Sequence, residues 1–332
     1  MEVRILAERD VYALLPVAAC MDVMAETLKA LGRGEAVNPL RTLLRFPEGT
    51  GLLGMMPGYL GAPRCAGIKV VTFMPGNHGT AYDSHQGMVM LFEVERGCPL
   101  ALVDASAVTA IRTAAVSGVA TRLLARPEAG RLALLGSGVQ ARTHLEAMRA
   151  ARDLSRVVVW SRTEANARRF AERESARQGV PITVAATARE AVADADIICT
   201  TTAAREPVLA GAWIAPGAHV NAVGACLPAC RELDTAEVAG ARLFVDRRES
   251  ALNEAGDFLI PKGEGAIDDD HIRGEIGEIL LGAVEGRTSA EEITLFKSLG
   301  IAVEDVGAAY YAYERAARAD AGVTVELGGP PS

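Results

Sequence analysis

One short stretch constrains the fold of this chain more than any other. An apolar run at residues 131–135 leads directly into Gly136-Ser-Gly-Val-Gln-Ala141, where a helical pattern begins. A strand, a tight glycine turn and a helix in this order bind the pyrophosphate of a dinucleotide, which rests on the positive end of the helix. The stretch therefore predicts cofactor contacts from Gly136, Ser137, Gly138, Val139, Gln140 and Ala141.

The pattern around this turn supports the same prediction, which a short motif alone would leave weak. Strand-like runs occur at 131–135, 156–160, 182–186, 195–200, 218–223 and 241–245, and helical runs at 139–151, 163–178, 188–194 and 234–239 separate them. Apolar strands that alternate with helices form a parallel sheet through right-handed crossovers. Six strands of this kind are expected of a complete dinucleotide-binding domain.

The first 115 residues do not show this alternation. They contain a short strand at 3–6, helices up to residue 31, and strand-like runs at 41–46, 52–56, 67–73, 88–94 and 100–104. The last two runs are joined by a Gly/Pro turn and predict a hairpin, so this part is expected to form a mainly antiparallel sheet. Ser106 is predicted to cap a helix that reaches residue 125.

Downstream of residue 249 the alternation fades. Residues 256–270 are predicted to form a loop, followed by a helix at 275–284, a strand at 293–297 and a final helix at 303–319. The final helix has no strand of its own to cover, so it is expected to fold back on the N-terminal part.

Charge and composition limit the partners that the chain can take. The formal net charge of −8 opposes non-specific binding to nucleic acids and anionic membranes, and no apolar run has membrane-spanning length. The N-terminus lacks the basic start and apolar core of a signal peptide, and the six cysteines are scattered without a matching ligand set. We therefore expect a cytoplasmic protein without a bound metal, a nucleic-acid partner or a membrane partner.

The residues after the second strand of the alternating part select between NAD and NADP. An NAD site places an Asp or Glu there to hold the ribose 2′-hydroxyl, whereas this chain has Trp160-Ser161-Arg162-Thr163. Arg162 offers a guanidinium to a 2′-phosphate, and Ser161 and Thr163 offer hydroxyls. These residues predict a preference for NADP(H), with NAD(H) as the alternative cofactor, although Ser and Thr before a helix also serve as caps.

Three cations in the N-terminal part are candidates for binding an anionic substrate. Arg41 and Lys69 lie in strand patterns, and Arg112 lies in a helix of small residues. Lys69 stands between Ile68 and Val70, where a buried lysine costs several kcal/mol unless it is paired. The alternative is that strand alternation points Lys69, and likewise Arg41, to solvent.

Several stretches resemble the ornithine cyclodeaminase/mu-crystallin family of reductases and cyclodeaminases. They are Gly54-Met-Met-Pro57, Lys69-Val-Val-Thr-Phe73, Ser84-His-Gln86, Thr109-Ala-Ile-Arg-Thr-Ala-Ala115, Leu135-Gly-Ser-Gly-Val-Gln-Ala141, Trp160-Ser-Arg-Thr163, Asn221-Ala-Val-Gly-Ala225, Arg231-Glu-Leu-Asp234 and Thr294-Leu-Phe-Lys-Ser-Leu-Gly-Ile-Ala-Val-Glu-Asp305. These stretches span nearly the whole chain in the family's order.

The resemblance implies an α/β fold class, with a Rossmann dinucleotide-binding domain and an α+β catalytic and dimerisation domain built from both chain ends. The expected bounds are 118–299 for the Rossmann NAD(P)-binding domain, and 1–117 with 300–326 for the substrate-binding and dimerisation domain. The resemblance also implies a homodimer whose substrate site contains Arg41, Lys69 and Arg112, facing the nicotinamide. The predicted cofactor contacts further include Thr200, Thr201, Val223 and Ser298.

One position separates two activities of this family. Ornithine cyclodeaminases carry an acidic residue directly after the two glycines of an Ala-Val-Gly-Gly segment, and that acid is assigned a role in cyclodeamination. Here the matching position after Gly224 and Ala225 is Cys226, which is expected to line the substrate pocket. This departure resembles the mu-crystallin branch, which is similar to NADPH-dependent ketimine reductases.

The predicted function is the reduction of a cyclic ketimine, pyrroline-2-carboxylate or piperideine-2-carboxylate, to a cyclic L-amino acid. Of the three predicted catalytic residues, Arg41 and Arg112 would clamp the carboxylate, and Lys69 would bind it too or polarise the imine that accepts the hydride. The alternatives are an ornithine or lysine cyclodeaminase that recycles bound NAD, an alanine dehydrogenase-like enzyme, and a crystallin-like protein that binds its ligand with little turnover.

Overall fold

The computed structural model of the chain describes residues 1–77 and 80–328, which fold as two compact units. Unit 1 contains Met1–Arg112 and the chain from Ile301 onward, and unit 2 is Thr113–Gly300. The first division and the boundary expected between 117 and 118 both lie within one helix, Ala105–Leu124.

The helices and strands are numbered along the chain. Residues before unit 2 form β1 (Glu2–Leu6), α1 (Glu8–Leu14), α2 (Val17–Gly32), β2 (Ala36–Val37), β3 (Thr42–Arg45), β4 (Leu52–Gly61), β5 (Arg64–Phe73), β6 (His85–Glu93), β7 (Pro99–Asp104) and α3 (Ala105–Leu124), which continues into unit 2. Unit 2 then forms β8 (Arg131–Leu135), α4 (Val139–Ala151), β9 (Arg156–Trp160), α5 (Glu164–Gln178), β10 (Ile182–Val184), α6 (Ala188–Val192), β11 (Ile197–Thr200), β12 (His219–Ala222), α7 (Thr235–Gly240), β13 (Arg242–Val245), α8 (Arg248–Glu254), α9 (Gly256–Gly263), β14 (Ile272–Glu275), α10 (Ile276–Leu280) and β15 (Thr294–Lys297). The chain returns to unit 1 in α11 (Ala302–Ala319) and β16 (Val323–Glu326).

Unit 1 is built on a mixed sheet with the strand order β16-β1-β7-β6-β5-β4-β2, and β3 also pairs with β4. The pair β1–β7 is parallel and the other pairs are antiparallel, so the predicted antiparallel character and the β6–β7 hairpin are confirmed. The helix α11 packs on α2, β4 and β5, as expected for a final helix that folds back on this part. The edge strand β16 was not predicted.

The predicted cap of α3 is wrong by two residues. Asp104 precedes the helix, and its Oδ1 accepts a hydrogen bond from the backbone N–H of Ala107 at 2.8 Å. Ser106 lies inside the first turn, and its Oγ donates instead to the backbone oxygen of His85 at 3.1 Å. An Asp is as good a cap as a Ser, so local pattern alone could not choose between them.

Unit 2 contains one sheet of eight parallel strands in the order β10-β9-β8-β11-β12-β15-β13-β14. The first five strands follow the order of a doubly wound dinucleotide fold, in which the direction of strand addition reverses between β8 and β11. The sheet has two strands more than the six expected of a dinucleotide-binding domain. The strand predicted at 293–297 is β15, which inserts between β12 and β13. The strand β14, which was not predicted, extends one edge.

The predicted loop at 256–270 is wrong in its first half, because Gly256–Gly263 is the helix α9. Its two glycines and Pro261 are typical helix breakers, which explains the error. Tertiary packing overrides that tendency: Phe258 in this helix is buried in the core of unit 2.

Among the described residues, no single helix is long and apolar enough to cross a membrane. The pair α1 and α2 meets the length and composition only when both helices are taken together, and they are bent by 82° relative to each other.

Candidate active site

The glycine turn lies at the carboxyl end of β8 in unit 2. Gly136 has a φ of 125°, and its N–H donates to the backbone oxygen of Trp160 at 2.8 Å. A Cβ added to Gly136 would lie 2.6 Å from Thr201 Oγ1, so a side chain is excluded there by both the backbone angle and the space.

Gly138 immediately precedes α4 and meets a different environment. A Cβ placed on Gly138 would have no described atom within 4 Å, so the chain leaves open space in front of the helix N-terminus. Ala141 in the first turn of α4 is fully buried, which brings the helix close to its sheet. Backbone N–H groups that face open space at a helix N-terminus are the donors that a pyrophosphate requires.

The predicted 2′-phosphate residues follow β9, the neighbour of β8. Ser161 is half-buried, and its hydroxyl accepts a hydrogen bond from Ser137 Oγ at 3.1 Å, which links this segment to the glycine turn. Arg162 and Thr163 are exposed, and α5 begins directly after them. The carboxyl end of β9 thus presents hydroxyl and guanidinium groups beside the turn.

The other predicted cofactor contacts follow the next strands of the same sheet. The backbone N–H and Oγ1 of Thr201 both donate to the oxygen of Leu135, at 2.8 and 3.2 Å. Val223, which follows β12, and Ser298, which follows β15, are buried, and Ser298 Oγ has no hydrogen-bond partner among the described residues. An orphaned buried hydroxyl and an open cradle at Gly138 fit a ligand with hydrogen-bonding groups, as a nicotinamide dinucleotide is.

Unit 1 contains a second group of predicted site residues, which we call the Asp305 cluster: Arg41, Lys69, Arg112, Glu304 and Asp305. Lys69 Nζ lies 2.7 Å from Asp305 Oδ2, and Arg112 Nε donates to Asp305 Oδ1 at 2.8 Å. Arg112 Nη1 also donates to Glu304 Oε2 at 3.0 Å. Both cations are only 3% exposed, so the alternative in which Lys69 points to solvent is wrong.

The elements of unit 1 explain this arrangement. Lys69 lies in the middle of β5, Arg112 lies in α3, and the two carboxylates occupy the first turn of α11. Acidic side chains in the first turn of a helix are favoured by its dipole. A single carboxylate, Asp305, therefore orients two cations from two different elements.

Burial and charge shift the pKa values inside the Asp305 cluster. Burial lowers the pKa of Lys69 to about 8, Arg112 and Arg41 act in the same direction, and Asp305 opposes them. Burial raises the pKa of Asp305, but Arg112 and Lys69 outweigh it and hold the value below the ordinary one. An anion placed beside Lys69 would favour its charged form.

Arg41 directly precedes β3 and is half-exposed. It belongs to the cluster because its positive charge acts on Lys69 and lowers the pKa of that lysine.

The two acidic members of the cluster were missed by the sequence analysis, although both lie in a stretch that carries the family resemblance. The available signal was a pair of adjacent acids, Glu304 and Asp305, next to the apolar residues Val303 and Val306 at the start of a helix. Both carboxylates are fully buried.

Cys226 lies in unit 2, four residues beyond the end of β12. It is half-buried, and its Sγ donates to the backbone oxygen of Val223 at 3.4 Å. Within residues 1–77 and 80–328, no group of three or more His, Cys, Asp or Glu side chains is arranged to hold a metal ion.

Comparisons with known proteins agree with this arrangement. The family described as Ornithine cyclodeaminase/mu-crystallin family matches residues 1–320. The protein named ketimine reductase mu-crystallin of Mus musculus is 43% identical over 281 residues, which cover 85% of this chain and 86% of that protein.

Two solved structures share the fold over nearly the whole chain. The Delta(1)-pyrroline-2-carboxylate reductase of Thermococcus litoralis, solved in complex with NADH and L-proline, has a TM-score of 0.95 and 39% identity, covering 97% of this chain and all of that one. An archaeal alanine dehydrogenase dimer with bound NAD has a TM-score of 0.93 and 33% identity, covering 99% of this chain and 100% of that one. The predicted α/β fold class with a Rossmann domain is confirmed.

Proposed function

This chain belongs to the ornithine cyclodeaminase/mu-crystallin family, and from that premise we propose that it reduces cyclic ketimines to cyclic L-amino acids with a nicotinamide cofactor. The observation that carries the proposal is the Asp305 cluster. Two buried cations, Lys69 and Arg112, are held by one carboxylate, and burial with two neighbouring guanidiniums keeps the pKa of Lys69 low. Such a group favours an anionic ligand.

A cyclic ketimine such as pyrroline-2-carboxylate carries a carboxylate beside a C=N bond. In the proposed complex the carboxylate accepts hydrogen bonds from Arg112 and Arg41, whose planar forks match its geometry. Lys69 Nζ donates to the carboxylate or to the imine nitrogen, and it retains its proton below a pH of about 8.

A bound reduced nicotinamide would supply the hydride that the imine carbon accepts, and an imine that enters the site already protonated carries the proton that the nitrogen of the amine product retains. The residues that would hold the dinucleotide follow the carboxyl ends of the strands of unit 2 or end a strand. They are those of the glycine turn, Ser161, Arg162 and Thr163 after β9, Thr200 at the end of β11, Thr201 after it, Val223 after β12 and Ser298 after β15. The contribution of the chain is to bind and orient, since the glycine turn offers N–H groups and Ser298 Oγ a spare hydroxyl.

For the cofactor, we propose NADPH in preference to NADH. The support is the exposed Arg162 with the hydroxyls of Ser161 and Thr163 at the end of β9, where an NAD site would carry a carboxylate. The test compares kcat/KM for NADPH and NADH in the wild type and in Arg162→Gln. The variant is expected to lose most of the preference for NADPH, and equal efficiencies in the wild type would contradict the proposal.

The substrate is tested by the oxidation of NADPH and NADH with pyrroline-2-carboxylate and piperideine-2-carboxylate. Turnover with at least one ketimine, and formation of the cyclic L-amino acid, is the expected result. No oxidation with either ketimine would overturn the proposal. Pyruvate and ammonia in the same assay test for an alanine dehydrogenase, and ammonia release from ornithine without added reductant tests for a cyclodeaminase.

We propose that the cyclodeaminase alternative is disfavoured by Cys226, which offers a thiol where those enzymes carry an acid. Cys226 would instead line the substrate site, and Cys226→Asp is the variant that tests whether an acid there introduces ammonia release.

We also propose a homodimer, because the archaeal alanine dehydrogenase with the same fold is a dimer. Light scattering coupled to size-exclusion chromatography measures the mass, and a mass near the 34.8 kDa of a single chain would contradict the proposal.

A further inference from the structure

Among the charged side chains that unit 2 buries and that the proposed function does not use, three lie in contact with one another or with a shared segment. They are Glu232, Asp257 and Lys297, which we call the Glu232 cluster, and none is more than 2% exposed. Glu232 precedes α7, Asp257 is the second residue of α9, and Lys297 is the last residue of β15. Three distant parts of the chain therefore converge on one point, where burial of charge is costly unless every group is paired.

Glu232 receives four hydrogen bonds from two segments. Its Oε1 accepts from the backbone N–H and from Oγ1 of Thr202, both at 2.7 Å. Its Oε2 accepts from Thr200 Oγ1 at 2.8 Å and from the backbone N–H of Gly224 at 2.6 Å. One carboxylate thus ties the segment that leaves β11 to the segment that leaves β12.

The other two members hold Glu232 and β12 in place. Asp257 Oδ1 accepts from the backbone N–H groups of Glu232 and Leu233 at 2.8 and 3.1 Å. Lys297 Nζ lies 3.0 Å from Asp257 Oδ2 and donates to the oxygen of Ala222 at 3.3 Å. The contacts form a continuous series from β15 through α9 to the ends of β11 and β12.

The packing around Gly224 shows how closely the two segments approach. A Cβ on Gly224 would lie 2.0 Å from the backbone oxygen of Thr202 and 2.7 Å from the carboxyl carbon of Glu232. No side chain is accommodated at that separation, so close packing leaves the two segments little freedom to move relative to each other.

The position of these segments in the sheet indicates what they receive. A doubly wound sheet binds its ligand at the carboxyl ends of its strands, with one half of a dinucleotide on each side of the point where strand order reverses. The glycine turn and the 2′-phosphate residues lie on the β8–β9 side, which takes the adenosine half. The ends of β11 and β12 lie on the other side, which takes the nicotinamide half.

We propose that Glu232, Asp257 and Lys297 are positioning residues that preset the Thr200–Thr202 and Val223–Cys226 segments for the nicotinamide half of the cofactor. The inference rests on the dinucleotide binding of the proposed function, but not on the identity of the ketimine. Segments that are already ordered cost less to immobilise on binding, so the cluster contributes to affinity without touching the cofactor.

The test measures the dissociation constants of two ligands for the full-length chain by titration calorimetry. NADPH is the complete cofactor, and ADP-ribose 2′-phosphate lacks only the nicotinamide ring. In Glu232→Gln one oxygen becomes an amide NH₂ that faces two donors, so the tie between the segments weakens. The dissociation constant of NADPH is expected to rise about tenfold or more, and that of ADP-ribose 2′-phosphate to change less than about twofold.

Asp196→Asn is the matched control, because Asp196 is a buried carboxylate with a similar number of hydrogen bonds and directly precedes β11, at the opposite end of that strand from Thr200. It accepts from the backbone N–H groups of Gly130 and Arg131 at 3.1 and 3.0 Å and from the Arg131 and Arg126 side chains. This control is expected to lower the melting temperature while leaving both dissociation constants unchanged. Equal losses for the two ligands in Glu232→Gln would show a general structural role and overturn the proposal.

Thr202→Val provides a milder variant in case Glu232→Gln does not fold. It removes one hydroxyl donor to Glu232 and keeps the shape of the side chain, so a rise of a few-fold for NADPH alone is expected. Unchanged NADPH binding in both variants, or a wild type that binds no nicotinamide dinucleotide, would overturn the inference. A wild type that binds NADPH but reduces neither ketimine would contradict the proposed substrate and leave this test decisive, since binding is its readout.

Discussion

The two units bury charge for different purposes, and the contrast lies in what holds the carboxylates. In the Asp305 cluster of unit 1, carboxylates on a helix are held by cationic side chains of a strand and a second helix. In the Glu232 cluster of unit 2, the central carboxylate is held by backbone N–H groups and hydroxyls of two segments that follow strands.

This difference determines which part of the molecule each cluster orients. Carboxylates that pair with cations fix the direction of guanidinium and ammonium groups, whose positive charge attracts an anionic ligand. A carboxylate that binds backbone groups fixes the path of the chain instead. Unit 1 is therefore expected to govern the substrate and unit 2 the cofactor, and each prediction below tests that separation.

The largest effect is expected from Arg112→Met. The variant removes the donor shared by Glu304 and Asp305 and one proposed contact to the substrate carboxylate. Breaking a buried ion pair costs about 3–5 kcal/mol of stability, so the melting temperature should fall. Loss of a buried charged hydrogen bond to the substrate carboxylate should separately lower kcat/KM for the ketimine about a hundredfold or more.

Arg64→Met is the control for Arg112→Met, because Arg64 is a mostly exposed cation of the same unit, 3.8 Å from Glu95. An exposed pair at this distance contributes little, so this variant should match the wild type. Arg112→Met should still bind NADPH, measured by calorimetry at a temperature where the variant is folded. A loss of kcat/KM below tenfold would remove Arg112 from the substrate site.

A pair of lysine variants gives the next largest effect and tests the separation directly. Lys69→Met is expected to raise KM for the ketimine about thirtyfold with little change in NADPH affinity, because Lys69 belongs to the Asp305 cluster. Lys297→Met leaves Asp257 buried without its cation and is expected to weaken NADPH binding about tenfold. If both variants changed KM for the ketimine, or both changed the affinity for NADPH, the two clusters would not have separate roles.

The sequence predicted those residues of the two units that a local pattern reveals. The glycine turn, the alternating strands and the cations Lys69 and Arg112 could be recognised because each is a short stretch or a residue type unusual for its surroundings. Their carboxylate partners could not, since Asp305 is 193 residues from Arg112 and nothing local records that contact.

The same limit explains the errors in unit 2. Strand order is a property of packing, so the insertion of β15 between β12 and β13 left no local signal. The helix α9 was read as a loop because its glycines and Pro261 act locally, whereas the burial of Phe258 and Asp257 that stabilises it depends on tertiary contacts. The Glu232 cluster was missed with that helix, because Asp257 lies within it.

A smaller effect is expected from raising the pH through the pKa of Lys69, which is about 8. Above that value the lysine loses its charge, so the inhibition constant of cyclopent-1-ene-1-carboxylate, whose ring does not titrate, should rise toward tenfold per pH unit. Lys69→Arg keeps its charge in this range and should give a flat profile. The affinity for NADPH should not show this pH dependence. If it did, the substrate and cofactor roles would not be divided between the two units.

Raising the pH is expected to increase the contribution of Lys69 to stability, although it weakens the binding of the anion. The folded pKa of Lys69 lies below the ordinary value of 10.5, so between about 8 and 10.5 the unfolded chain binds a proton that the folded chain has released. The contribution of Lys69 to the free energy of unfolding therefore rises with pH in this window. Urea unfolding of the wild type and Lys69→Met at both ends of the window measures the difference.

The smallest effect is expected from mild acid, and it should act on unit 2. Burial lowers the pKa of His144 to about 4 and that of His219 to about 3, from 6.5. His144 lies between the Gln140 oxygen and Ser117 Oγ, at 2.7 and 3.0 Å, and both imidazoles stay neutral in the folded state at pH 5.5.

Because the unfolded chain takes up these protons below pH 6.5 and the folded chain does not, stability falls as the pH decreases through that value. At pH 5.5 each histidine lowers the free energy of unfolding by about 1.4 kcal/mol. Between pH 7.5 and 5.5 His144→Gln should therefore lose less stability than the wild type, by about that amount, as measured by urea unfolding. Hydrogen exchange, corrected for its intrinsic pH dependence, should then show α4 and β12 losing protection in this range while β5 and α11 keep theirs. If all four elements lost protection equally, mild acid would destabilise both units and not unit 2 alone.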